Sequence, residues 1–309
     1  MIVAIGGGTG LFTVLQGLKK YTNNIAAIVT MADHGGSSGI LRDELGVLPP
    51  GDIRRCLVAL SESRKLMADL FEYRFKKGSL KGHSFGNLLI TALTEITGSF
   101  DKAIKECSKI LAVKGIVIPC TFQDIKLCAL LENGKIIKGE PAIESFRLYH
   151  NVNIKKLFLE PRNVKANKEA INTIKNAEKI ILGPGSLYTS IIPNLLIKNI
   201  KNAIVKSKAK KIYVVNIMTQ HGETDNFTAN MHVSEIIKYL SKDILDYVIV
   251  NTEIPSAKVL KAYAEEWKFP VKVDKIKTKA KIVRKKLLRK TNFARHDPDK
   301  LAKTILALK

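Results

Sequence analysis

Met1-Ile2-Val3-Ala4-Ile5-Gly6-Gly7-Gly8-Thr9-Gly10-Leu11 decides how the rest of the chain is read. Ile2–Ile5 is a short, continuous apolar run of the kind that forms a buried strand. Four of the next five residues are glycine, and a helical pattern of apolar residues then runs to Leu18. Strand, glycine loop and helix in that order let backbone N–H groups approach a phosphate at a helix N-terminus. The loop is not the dinucleotide fingerprint, because the last glycine of Gly-x-Gly-x-x-Gly would fall on Leu11. No Lys-Ser/Thr pair follows, so it is not a Walker A loop either.

The same rhythm recurs along the chain. Ile25–Val29 precedes Thr30–Gly39, Lys179–Leu182 precedes Gly183–Thr189, Ile212–Val215 precedes Asn216–Thr224, and Tyr247–Val250 precedes Asn251-Thr252. Helices are expected over Ile53–Leu60, Gly86–Ile96, about 230–241 and about 255–267. Alternating strands and helices imply an α/β fold with a three-layer, Rossmann-like, mostly parallel sheet. Between about 113 and 165 short apolar runs alternate with turn signals, and Asn133-Gly134 reads as a hairpin turn. That stretch is expected to be a small antiparallel insertion in a single domain spanning 1–309.

All five polar loops follow strands, so in an open parallel sheet they share one edge, where ligands bind. The expected ligand-binding set comes from them: Gly6, Gly7, Gly8, Thr9, Gly10 and Leu11; Asp33, His34, Gly35, Gly36, Ser37, Ser38 and Arg42; Gly183, Pro184, Gly185, Ser186, Tyr188 and Thr189; Asn216, Met218, Thr219, Gln220, Glu223 and Thr224; and Asn251. Asp52, in Pro49-Pro50-Gly51-Asp52-Ile53-Arg54, reads either as the N-cap of the following helix or as the partner of Asp33 in a Mg²⁺ site. Gly82-His83-Ser84-Phe85-Gly86 matches the nucleophile elbow Gly-x-Ser-x-Gly, but the preceding Lys76–Lys81 is no core strand. His83 and Asn87 are instead read as opening a helix toward the pocket. Arg295-His296-Asp297-Pro298 precedes the last helix, with Asp297 as N-cap and Pro298 at the first helical position, and Arg295 joins the ligand set.

The net charge of +23 suggests an anionic partner. Lysine supplies 41 of the 51 basic residues, which together with abundant Asn and Ile points to a coding bias. Lys277–Lys290 carries eight basic residues and no acid, read as a solvated strand face and a loop. No aromatic side chain interrupts it, so it offers no stacking platform and nucleic acid is not the expected partner. Cys56, Cys107, Cys120 and Cys128 have no metal-site spacing and read as buried thiols. No apolar run approaches the roughly 20 residues of a membrane helix. A cytoplasmic protein is expected, with a homodimer kept open as its assembly.

Taken together, Gly6–Gly10, Asp33–Gly39, Leu48–Arg54, Gly82–Leu88, Leu182–Ser190, Met218–Thr224 and Arg295–Asp297 resemble the YvcK-type gluconeogenesis factors. These are relatives of the CofD-like 2-phospho-L-lactate transferases of deazaflavin-coenzyme synthesis. The resemblance spans nearly the whole chain. It implies a Rossmann-like fold, binding of a nucleotide such as a UDP-sugar, and regulation of cell shape and wall synthesis during gluconeogenic growth. It implies no settled reaction, and the alternative is a Mg²⁺-dependent transferase of the 2-phospho-L-lactate type. The chain departs from the family in two places: His34 replaces the second of two aspartates, and Met231-His232 stands where Asp-His is usual. Losing two carboxylates favours binding over metal-assisted transfer.

Overall fold

A computed structural model describes residues 1–149, 152 and 154–309; the other three positions fall inside the expected insertion. Ten strands are present among the described residues. They are β1 (Ile2–Gly6), β2 (Ile25–Val29), β3 (Ile116–Pro119), β4 (Lys126–Leu131), β5 (Ile136–Lys138), β6 (Ile154–Glu160), β7 (Lys179–Leu182), β8 (Lys210–Val214), β9 (Tyr247–Asn251) and β10 (Lys281–Lys285). Seven of them form one sheet in the order β10-β9-β8-β7-β1-β2-β3. Every pairing in that sheet is parallel.

Each residue of β1 and β2 is buried, which is how strands read when both faces of a parallel sheet are covered. One group of helices comprises Gly8–Leu18, Gly51–Leu60 and Pro298–Leu306; another comprises Lys168–Lys175, Ile192–Leu196 and Lys198–Lys206. The main apolar core runs from Ile2 to Ile305 and includes Cys56, Cys107 and Cys120, and a second, smaller cluster joins Ile217, Met218, Val259, Leu288 and Ala294; Cys128 is buried outside both.

β4, β5 and β6 form a separate antiparallel sheet, and the turn at Asn133-Gly134 joins β4 to β5. Ile116–Pro119 belongs to the large sheet as its edge strand, so the small sheet itself runs from Lys126 to Glu160. β10 closes the other edge. It begins at Lys281 rather than Lys277, and its exposed Lys281 and Lys285 suit an edge that must not pair with another chain.

The chain runs outward from β1 through β2 to β3, then returns to β7 beside β1 and runs the other way. The order therefore reverses between β1 and β7. In open α/β sheets the crevice at such a reversal is where loops diverge and leave room for a ligand.

Candidate functional site

Two glycine loops meet at this reversal. Gly10 has no room for a side chain: a Cβ there would overlap the Pro184 carbonyl and lie 2.7 Å from the Gly185 nitrogen. Asn216, after β8, secures the second loop by donating from Nδ2 to the Gly185 carbonyl at 2.8 Å. Below the loop lies the fully buried Glu223. Its carboxylate accepts from Ser186 Oγ, from Thr189 Oγ1 at 3.2 Å and from Gln220 Nε2 at 2.7 Å.

Two adjoining cavities open from the loops. The first, about 400 Å³, is lined by Gly7, Gly8, Thr9, Gly10, Pro184, Gly185, Ser186 and Thr189 from the glycine loops. Asn216, Met218, Gln220 and Arg295 join them from the expected set. Ile217, Tyr263 and Ala294 give the same cavity an apolar and aromatic wall. The second, about 350 Å³, is lined by Gly8, Asp33, Gly35, Gly36, Ser37, Ser38, Asp52 and Asn87, with Arg54 and Arg74. Gly8, Arg55, Glu140 and Ser190 line both.

Three helices start at these cavities without a side-chain cap: Gly8–Leu18 after Gly7, Gly36–Leu45 after Gly35, and Gly51–Leu60 after Pro50. Helices starting at Phe85, Phe100, Lys168, Ala229, Ala257 and Pro298 carry a Ser, Asn, Thr or Asp cap, whereas those starting at Lys65, Ile192 and Lys198 also lack one. First-turn N–H groups have no intrahelical acceptor, and their dipole favours an anion. At two of the three starts a neighbouring side chain takes the first N–H, Ser38 Oγ from Gly51 at 3.1 Å and the Asp52 carboxylate from Gly8, and the rest of that capacity belongs to the crevice.

Asp52 is not an N-cap. Pro50 precedes the helix, and Asp52 sits in its first turn with the Gly8 N–H directed at its carboxylate. It therefore ties the first glycine loop to the second cavity. Burial, and then the charge of Asp33, push the Asp52 carboxyl up to about 6. Asp33 accepts from the Gly35 N–H at 2.8 Å. The structure thus brings the two aspartates to one cavity. Both offer hard oxygen donors, and their mutual repulsion favours a cation between them, so the pair fits Mg²⁺. Among the described residues no group of three or more His, Cys, Asp or Glu could hold a metal ion.

Around these carboxylates the chamber is rich in guanidinium groups. Arg54 is buried and donates to the Phe71 carbonyl at 3.2 Å; burial, followed by the neighbouring Arg55, lowers its pKa to about 10. Arg55 donates to Thr9 Oγ1 at 3.3 Å. At the chamber's base Asn87 Nδ2 donates to Ser37 Oγ at 3.1 Å, and Ser37 Oγ lies 3.1 Å from His83 Nδ1. Ser84 caps the helix Phe85–Thr97, which supports the rejection of an esterase elbow.

Other expected residues lie beside the cavities without lining them. Gly6 and Leu11 are core. His34 Nδ1 lies 2.9 Å from the Ala32 carbonyl and 3.3 Å from Arg42 Nη1, and burial lowers its pKa, so the ring is engaged by its own surroundings. Arg42 pairs with Asp124 and donates to the Ile125 carbonyl at 2.8 Å. Gly183 and Tyr188 are packed beneath the second glycine loop. Thr219 Oγ1 accepts from the Phe269 N–H and Thr224 Oγ1 from the Gln220 N–H, both at 2.9 Å. Thr219, Glu223 and Thr224 are buried, so they shape their loop from inside. Asn251 accepts from the Leu287 N–H at 2.9 Å and lines a separate depression.

Arg55, Glu140 and Tyr263 line the first cavity without having been expected there. Arg55 was one residue beyond the Pro-Gly-Asp-Ile-Arg motif. Tyr263 lies on the helix Ala257–Glu265, where its spacing reads as ordinary amphipathic packing. Glu140 begins a helix in the insertion, and only tertiary structure brings it to the crevice.

The sheet order and the glycine loops at its reversal define a Rossmann-like α/β protein. The chain belongs to the CofD family: the family described as 2-phospho-L-lactate transferase CofD matches residues 2–289. A protein named gluconeogenesis factor from Bacillus subtilis is 43% identical over 312 residues, covering 99% of this chain and 97% of that one. Another gluconeogenesis factor, from Halalkalibacterium halodurans, is 44% identical over 310 residues, covering 99% and 95%. A crystal structure of a Bacillus halodurans protein superposes with a TM-score of 0.94 at 44% identity, covering 99% of this chain and 98% of that one. The resemblance to the gluconeogenesis factors and the CofD-like fold are both borne out. No helix of the described residues is long and apolar enough to cross a membrane.

Proposed function

We propose that the crevice binds a nucleoside diphosphate of the UDP-sugar type, and that the protein is a cytoplasmic regulatory factor acting through that binding. Its output would be cell shape and wall synthesis during gluconeogenic growth, as the resemblance implies. The observation that carries the binding reading is the meeting of three uncapped helix starts at two adjoining cavities. A diphosphate placed against Gly7–Gly10 and Gly185–Ser186 would meet the backbone N–H groups of both loops, of which Gly8 and Gly185 also serve Asp52 and Asn216. Arg55 and Arg295 would add charge-assisted donors. The wall of Ile217, Met218 and Tyr263 suits the flat apolar face of a base.

Thermal-shift measurements with UDP-glucose, GDP, NAD and inorganic phosphate test the reading. The expected result is the largest stabilisation by UDP-glucose. Equal shifts with inorganic phosphate alone would reduce the site to an anion cradle.

The convergence of Asp33 and Asp52 favours one second reading, a Mg²⁺-dependent transferase. The two aspartates would hold the ion, which would neutralise charge on a transferring phosphorylated group. The chain's own contribution would be to orient that group with Arg54, Arg55 and the helix starts. His34 replaces the family's second aspartate and does not line the cavity, which weakens this reading. Robust Mg²⁺-dependent turnover with a nucleoside-diphosphate donor and a deazaflavin acceptor would establish it in place of the first.

A further inference from the structure

A third cavity, about 440 Å³, lies on the far side of the segment that walls the first. Its volume is in the range of small-molecule sites. Val215, Ile217, Ile254, Pro255, Pro270 and Val273 give it apolar walls. Two cationic side chains, Lys272 and Arg284, also line it, and both are exposed. Glu253 contributes the one acidic group among the lining residues, and Lys300 stands 3.8 Å from that carboxylate. Ile254 is 75% exposed, which leaves a large apolar side chain open to solvent at the rim.

The partition between the two cavities is thin. Asn216 and Ile217 line both. The opposite wall is bonded directly to the partition, because the Val271 N–H donates to the Ile217 carbonyl at 2.9 Å. The Thr219 N–H likewise donates to the Phe269 carbonyl at 2.7 Å. Asn216 in turn holds Gly185, the centre of the second glycine loop. A body seated in the third cavity therefore pushes on a segment whose other face grips the phosphate loop.

We propose that the third cavity is an effector site for a small amphiphilic anion, with its apolar body against Ile217, Ile254 and Val273 and its charged head toward Lys272 and Arg284. Its effect reaches the crevice through Asn216 and Gly185. The effector role rests on nucleotide binding in the crevice; the site itself does not. Coupling of this kind needs two sites and a shared element whose position both ligands bias.

The test uses 8-anilinonaphthalene-1-sulfonate as the probe, read by fluorescence titration on the full chain. Saturable binding is expected. Thr252→Trp, which fills the cavity, and Arg284→Glu, which repels the head, should each weaken binding about tenfold or more while the variants melt as the wild type does. Saturating UDP should change the probe's Kd about threefold or more without abolishing binding. No saturable binding, binding insensitive to both variants, or complete displacement by UDP would overturn the site. Probe binding whose Kd is unmoved by UDP that does bind would overturn the effector role. If UDP does not bind at all, the nucleotide reading and the effector role fail together, and the two variants still decide the site.

Discussion

The side-chain amide of Asn216 pairs with the backbone of Gly185 in both directions. The Gly185 N–H donates to Asn216 Oδ1 at 3.0 Å, and Asn216 Nδ2 donates to the Gly185 carbonyl at 2.8 Å. An amide can do this because it carries a donor and an acceptor side by side, as a peptide group does. The loop after β8 thereby fixes the loop after β7 much as a neighbouring strand would.

Replacing Asn216 by Asp keeps the acceptor and removes the donor, so the Gly185 carbonyl loses its partner. The expected cost is about 1–2 kcal/mol of stability. Because the loop also faces the first cavity, nucleotide affinity should fall about tenfold. Urea unfolding and calorimetric titration check the two effects separately.

Glu223 should be more sensitive. Its buried carboxylate organises Ser186, Thr189 and Gln220 at once. Glu223→Ala leaves those donors unmatched inside the protein, at an expected cost of about 2–4 kcal/mol. Glu223→Gln retains the size and one acceptor and should lose roughly half as much. Thermal unfolding of the pair of variants distinguishes a scaffold role from a cavity-lining role, which would leave stability nearly unchanged.

Gly10→Ala and Gly46→Ala separate close approach from backbone conformation. The Gly10 Cβ would collide with the Pro184 backbone, which cannot rotate away. At Gly46 nothing lies within 4 Å, but φ is +65°. The expected loss is about 1 kcal/mol at Gly46 and about 2 kcal/mol or more at Gly10. Equal losses, measured by denaturant unfolding, would contradict the contact between the two loops.

Much of this arrangement was legible before the structure. Continuous apolar runs such as Ile2–Ile5 and Lys179–Leu182 mark strands buried on both faces, and each glycine loop follows one of them. Helix Gly36–Leu45 was not legible, because Gly35-Gly36-Ser37-Ser38-Gly39 has the composition of a loop. Gly39 there lies against the His34 carbonyl, where a Cβ would overlap, so it serves a close approach inside a helix instead of breaking it. Asp52 was misplaced by a small shift in the helix start, which turns a cap into a first-turn side chain. Thr219, Glu223 and Thr224 look like ligand contacts in a polar loop. Their burial shows that a dense polar loop can also be polar because it hydrogen-bonds itself.

Asp52 gives the protein a pH-dependent term with a definite sign. Its folded pKa of about 6 stands above the ordinary carboxyl value of 3.8. Below both values the carboxyl is protonated in folded and unfolded chains, and nothing is lost. As pH rises between them the unfolded chain ionises first, so this group's contribution falls and then levels off above about 6. Asp52→Asn removes the term. Relative to wild type the variant should gain about 1 kcal/mol over that window, allowing for solvent screening. Urea unfolding at a series of pH values gives the difference directly, and a flat difference would show that Asp52 is not held in an unfavourable environment.

Calorimetric titration of UDP-glucose into the wild type and Arg55→Ala is the most direct measurement of the crevice as a nucleotide site. Arg55 lines both cavities and reaches Thr9 of the first glycine loop, so it stands where a diphosphate would lie. The predicted result is saturable one-to-one binding by the wild type and a loss of about tenfold or more in the variant, as expected for a charged hydrogen bond to phosphate. No binding by the wild type, or the same affinity in both proteins, would contradict it.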